Sequence, residues 1–168
     1  DDPGQAMVEA WIAERTAGQP ADVVRLSGDA STRRYFRVLS RATPSIVVLY
    51  PEPFESGTLP FLEVGALLRS WGLPVPAVLS VDGRRGLVEV EDLGDVLLQD
   101  RVNGASKGEV HAHYREAIQD LATLQRRSLA GPRDGACYGL AFDEAKLTWE
   151  LDFFVEHFLE GLRGARLE

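Results

Sequence analysis

The sequence predicts an α+β chain in which the strands come first and the helices last. Three observations carry this. Short β-branched runs, separated by Gly, Pro and Asp turns, fill the first ninety or so residues. From Glu91-Asp92-Leu93-Gly94 onward the strand pattern stops and helical periodicity takes over. A single helical stripe is inserted among the strands, after the third. The division is therefore a strand-rich part at residues 1–91, a connector at 92–94 and a helical part at 95–168, with a ligand crevice expected at the connector.

Taken in order, residues 7–17 read as a helix closed by Gly18, with Val8, Trp11 and Ile12 on one face. Val23-Val24-Arg25-Leu26 is a first strand, Tyr35-Phe36-Arg37-Val38 a second, and residues 46–50 a third, stopped by Pro51 and Pro53. Thr58 is expected to cap a helix that has Pro60 in its first turn and runs to Trp71, with Gly72 as its stop. Pro74-Val75-Pro76 forces an extended entry into a fourth strand at 77–81. The turn residues Asp82-Gly83-Arg84-Arg85-Gly86 then lead into a fifth at 87–90. Residues 95–102 are a short helix or turn. Ser106 and Glu109 form a capping box for a long helix to about Arg127. Asp143 caps a last helix with the stripe Leu147, Leu151, Phe154, Phe158 and Leu162, which fades at Gly161 and Gly164.

Composition sets limits. With 168 residues the chain can bury a real core, and 45% hydrophobic against 26% charged residues is ordinary for a globular protein. A net charge of −8 argues against a nucleic-acid surface, which needs a basic stripe. The one cysteine, Cys137, permits no internal disulfide and points to a reducing compartment, here the cytoplasm. Its only basic neighbour is Arg133, which does not make a catalytic thiol. No apolar run spans a bilayer, and no membrane partner is expected. The acidic start, Asp1-Asp2-Pro3-Gly4, reads as a trimmed beginning and not as a signal peptide.

The stretch that organises the chain is residues 26–38, LSGDASTRRYFRV. A strand, a small-residue loop and a second strand can lay backbone N–H groups over an anion. Gly28 allows close approach, and Arg33 and Arg34 add positive charge. The competing reading is an ordinary hairpin with a polar tip. His111 and His113 are two apart on a helix, point in different directions and lack ligand-spaced partners, so no metal site is expected there.

GDASTRRYFRV, SIVVLYPEP, FLEVGALLRSWGLPVPAVL and GLVEVEDLGDVLL together resemble the N-terminal half of aminoglycoside-phosphotransferase-type kinases, in particular the N-acetylmuramate/N-acetylglucosamine anomeric kinase branch used in cell-wall recycling. The resemblance covers about residues 26–98 and continues weakly through 147–162. It implies a protein-kinase-like N-lobe, a five-stranded antiparallel sheet plus one helix, followed by the first helices of a helical C-lobe. It implies that Ser27, Gly28, Asp29, Ala30 and Ser31 form a loop over the ATP phosphates. It implies that Val90, Glu91, Asp92 and Leu93 form the adenine hinge, with Leu26, Val38 and Val48 sandwiching the ring.

Two departures stand out. Kinases of this fold carry Lys on the third strand, but here Tyr50 occupies that position. Glu63, the candidate helix acid, then lacks its usual partner. Strand alternation sets Arg34, Phe36 and Val38 on one face, so Arg34 is expected to point at the phosphates in place of the Lys, unless it is a surface salt bridge. The family's H-x-D-x-x-x-x-N catalytic loop and its metal-binding Asp do not occur, so no catalytic or metal residue is expected in these 168 residues, and Mg²⁺ ligands are expected beyond Glu168. The leading expectation is part of an ATP-dependent kinase that acts on a small molecule, an amino sugar. The alternative is a non-catalytic nucleotide-binding or protein-interaction module. Self-association through apolar faces of the helices at 107–127 and 143–162 is also expected.

Overall fold

The computed structural model describes residues 2–27, 32–40, 43–131 and 135–165. The chain forms two compact units, residues 1–132 and 133–168. In the first, α1 (Pro3–Arg15) precedes β1 (Asp22–Arg25), β2 (Arg34–Leu39) and β3 (Ser45–Leu49). Next come α2 (Pro60–Ser70), β4 (Val78–Asp82), β5 (Leu87–Glu91), α3 (Leu98–Val102) and α4 (Lys107–Ala130). The five strands make one antiparallel sheet in the order β1-β2-β3-β5-β4. The α+β reading holds: five strands, one helix after the third, helices thereafter.

Several boundaries differ from expectation for identifiable reasons. Helix α1 starts four residues early because Asp2 caps it, its side chain accepting from Gly4 N at 2.9 Å, with Pro3 in the first turn. Thr58 does not cap α2. Its hydroxyl donates to Glu55 O at 3.0 Å, and Leu59 sits at the N-cap without a side-chain bond. The Ser106–Glu109 capping box forms as read, with Ser106 N donating to Glu109 Oε2 at 2.9 Å.

The sheet buries side chains on both faces. On one face Val23, Phe36, Val38, Val47, Leu49 and Leu87 pack with Val8, Trp11 and Ile12 of α1. The α1 stripe is apolar at i, i+3 and i+4 and needs such a partner. Polar ties frame this core. Arg15 pairs with the buried Glu89, which also accepts from Ser45 Oγ at 2.6 Å. On the other face Val48, Val88 and Val90 pack with Tyr35, Ile46 and Tyr50, and with Phe61 and Leu62 of α2.

In the second unit, a single 3₁₀ turn (Ala136–Tyr138) precedes α5 (Glu144–Phe153), capped by Asp143 as expected, its side chain accepting from Lys146 N at 2.9 Å. The helix then widens to π geometry over Phe154–Leu162, where one continuous helix was expected.

Candidate functional site

Cross-strand register defines the site. Tyr35 stands opposite Val48, which stands opposite Val88; Arg37 stands opposite Ile46, which stands opposite Val90. Side chains of one parity therefore line the face away from α1. Of these, Tyr35, Arg37, Ile46, Val48 and Val90 floor a cleft of about 340 Å³, within the range of small-molecule sites. Leu26 closes it at the end of β1, Phe61 comes from α2, and Pro76 precedes β4. Glu91, Asp92, Leu93, Gly94 and Asp95 form its rim where β5 gives way to the connector.

The rim is fixed by charge. Arg37, on β2, donates from Nη1 and Nη2 to the two Asp95 oxygens, both at 2.7 Å, and from Nη2 to Asp92 Oδ1 at 3.2 Å. Its Nε lies 2.7 Å from Asp92 Oδ2 but out of line for a hydrogen bond. The Arg37 and Asp92 side chains are only 18% and 6% exposed, so this pair is shielded from water. Hydrogen bonds to Asp95 and Asp92 hold the guanidinium above its ordinary value, and the same contact holds Asp95 below its own. Asp92 Oδ1 also accepts from Gly94 N at 2.8 Å, closing a tight turn for which Gly94 adopts φ +77°.

Of the residues singled out in the sequence, Leu26, Val48, Val90, Glu91, Asp92 and Leu93 converge on this cleft. Ser27 is exposed beside it, and Gly28, Asp29, Ala30 and Ser31 lie outside the described residues. Glu63 is exposed in the first turn of α2.

Arg34 and Val38 are placed elsewhere, which corrects the facing expected for β2. The alternation was right but its sense was reversed. Val38, only 2% exposed, is in the α1 core. Arg34 Nη1 donates to Asp2 Oδ1 at 2.7 Å, at the start of α1, and a Cβ at Gly4 would run into its guanidinium. The cause is α1, whose apolar stripe claims Phe36 and Val38 for its own face. The residues that turn to the cleft are Arg33, Tyr35 and Arg37. Sequence reasoning passed over Arg37, Ile46 and Asp95 as site residues. The signal was present in the parity of β2, once its partner face is assigned to α1.

The helical stripes are exposed. On α4, Tyr114, Ile118 and Leu121 are at least half or nearly half open to solvent, and in the second unit so are Leu147, Leu151 and Leu162. Among the described residues no three His, Cys, Asp or Glu side chains gather as metal ligands, and no helix is long and apolar enough to cross a membrane.

A two-faced antiparallel sheet, a helix after its third strand and an apolar cleft ending at a charged connector turn place the chain in a class. It belongs to the phosphotransferase enzyme family (APH), whose profile matches residues 22–168. Within that class it is similar to the N-acetylmuramate/N-acetylglucosamine kinase of Pseudomonas aeruginosa, with 32% identity over 149 residues, 89% of this chain and 41% of the relative. The kinases of the same name from Pseudomonas putida and Neisseria meningitidis serogroup B are 31% and 29% identical, over 79% and 97% of this chain and 36% and 47% of theirs. The chain thus spans less than half the length of each of these relatives.

Proposed function

We propose that this chain is the nucleotide-binding part of an ATP-dependent kinase that transfers the γ-phosphoryl group to a hydroxyl of an amino sugar. The observation that carries the proposal is the cleft on the sheet face away from α1. Its walls, Leu26, Val48, Val90 and Leu93, are apolar and suit a purine ring. Backbone groups of Glu91, Asp92 and Leu93 would take the purine's polar edge, and Ser27, Gly28, Asp29, Ala30 and Ser31 would cover the phosphates. In this reading residues 1–91 are the nucleotide lobe, 92–94 the hinge and 95–168 the start of a helical lobe. The amino-sugar acceptor is suggested by the names of the three relatives. A protein that consumes ATP and carries one cysteine accords with the cytoplasm.

The apolar walls suit the purine ring of ATP, and among the described residues no three His, Cys, Asp or Glu side chains gather as metal ligands. In this reading the metal site and the catalytic base belong to sequence outside these 168 residues. Phosphoryl transfer depends on positioning and charge neutralisation, so part of a site is nearly inert.

The test is phosphoryl transfer from ATP to N-acetylmuramate and N-acetylglucosamine. The protein at its full natural length should form sugar phosphate with Mg²⁺, and the 168-residue chain alone should form none above a no-protein control. A full-length protein that binds ATP without forming product from either sugar would favour the non-catalytic module instead.

A further inference from the structure

We propose that Arg37 is a positioning residue for the nucleotide: through Asp92 and Asp95 it sets the connector backbone of Glu91, Asp92 and Leu93 where the purine's polar edge would meet it. The inference deepens the nucleotide-site reading above and rests on it. A loop already in its bound conformation binds without the cost of being ordered. The connector is a segment that needs such support. Residues 92–97, between the end of β5 and the start of α3, belong to no strand or helix, and Leu93 is 69% exposed.

Where it leaves β5 the chain is tied to the entry of β4. Glu91 N donates to Ala77 O at 2.8 Å, and Glu91 Oε2 accepts from Ala77 N at 3.1 Å. The next tie comes from beyond β3. That strand lies between β2 and β5, and its Ile46 stands opposite both Arg37 and Val90. The backbones of β2 and β5 are therefore two strand spacings, about 10 Å, apart. Only a long side chain rising from β2 can reach the connector, and Arg37 does so.

One guanidinium holds both acids. Nη1 and Nη2 each donate to an Asp95 oxygen at 2.7 Å, and Nη2 also donates to Asp92 Oδ1 at 3.2 Å. Asp92 Oδ1 in turn accepts from Gly94 N at 2.8 Å. Strand, carboxylate and turn backbone are thus joined in one run of hydrogen bonds. A planar fork with several donors suits this arrangement, whereas an ammonium would be a single point charge. Two carboxylates answer the Arg37 charge, so its part is to fix the connector and not to meet the nucleotide phosphates.

The test is calorimetry on the protein at its full natural length, with adenosine and ATP as separate probes. Arg37→Met should weaken both by the same factor, about tenfold, as expected when the binding-competent connector falls to about a tenth of the population. Asp95→Ala alone, at a side chain 77% exposed, should weaken adenosine by about three- to tenfold, because Asp92 still holds the guanidinium. Combined with Arg37→Met it should add less than about twofold, since the two residues act as one device. Arg15→Leu, on α1 behind the sheet, controls for lost stability and should leave adenosine within about twofold. Adenosine affinity unmoved by Arg37→Met would overturn the proposal. A loss for ATP well beyond that for adenosine would too, because it would mark a direct phosphate contact. So would fully additive losses in the double variant, or an equal adenosine loss in Arg15→Leu. A wild-type protein that binds neither probe would instead overturn the nucleotide reading itself.

Discussion

Replacing Arg15 with leucine removes the counter-charge from a carboxylate that the sheet buries. The Glu89 side chain is 10% exposed and has two partners, the Ser45 hydroxyl at 2.6 Å and the Arg15 guanidinium. Breaking a buried pair by removing one partner costs about 3–5 kcal/mol. Arg15 is itself 35% exposed, so water can reach part of the vacated position and the loss should be nearer about 2–3 kcal/mol. At about 2–4 °C per kcal/mol for a chain of this size, the melting temperature should fall by about 4–12 °C. The assay is thermal unfolding followed by far-ultraviolet circular dichroism, with Glu89→Gln added in the Arg15→Leu background. Glutamine still accepts from Ser45 and carries no charge, so it should restore more than half of the loss. A loss below about 0.5 kcal/mol, the level of an ordinary surface change, would refute the reasoning. So would a double variant no better than Arg15→Leu alone.

Three further outcomes are expected. Gly83→Ala should destabilise by about 1–3 kcal/mol, because its Cβ would overlap Phe54 O while Phe54 N is bonded to Gly83 O at 2.8 Å; Gly65→Ala, in open space inside α2, should stabilise by about 0.5–1 kcal/mol, and equal melting temperatures for the two would refute both. Asp95 is held below its ordinary value of 3.8 by the hydrogen bond from Arg37, and Asp2 by the Gly4 N–H and by Arg34 and Arg25, so their stabilisation is complete above that value and is lost as pH falls through the lowered ones; Asp95→Asn and Asp2→Asn should flatten the fall in melting temperature below about pH 4, and an unchanged slope would sink the assignment. The exposed apolar faces of α4 and of the second unit should drive the 168-residue chain into dimers or larger species in sedimentation, with Ile118→Glu on α4 shifting it toward monomer, whereas a clean monomer at high concentration would count against this.

Element order was legible because its signals are local: β-branched runs, Gly and Pro turns, and a capping box at Ser106. The start of α1 was missed because Asp2-Pro3-Gly4 reads as a frayed end until the Asp2 cap and its ties to Arg25 and Arg34 are seen. The α2 boundary moved because Pro at the first helical position sets the start whether or not a capping side chain precedes it. Leu26, Val48, Val90 and the connector residues, which the resemblance singles out, line one cleft. The facing of β2 was not legible. Alternation gives the parity of a strand, but its sense depends on which neighbour claims the apolar set. Phe36 and Val38 suit a ligand wall as well as a core, and only the packing of Val8, Trp11 and Ile12 decides between them. The π geometry at Phe154–Leu162 was not legible because the i, i+4 spacing of Phe154, Phe158 and Leu162 is also what an α-helix would carry.

The sheet's two-sided burial turns its central strands into two interleaved texts. On β2 and the residue before it, positions 34, 36 and 38 are written for α1, while 33, 35 and 37 are written for the cleft. On β3 and the residue after it the parity switches, with 45, 47 and 49 serving the first audience and 46, 48 and 50 the second. A combinatorial library could therefore randomise one text and hold the other constant. Varying 33, 35, 46 and 48 would probe the cleft together with its packing against α2, and varying 36, 38, 47 and 49 would probe thermal tolerance through the core under α1.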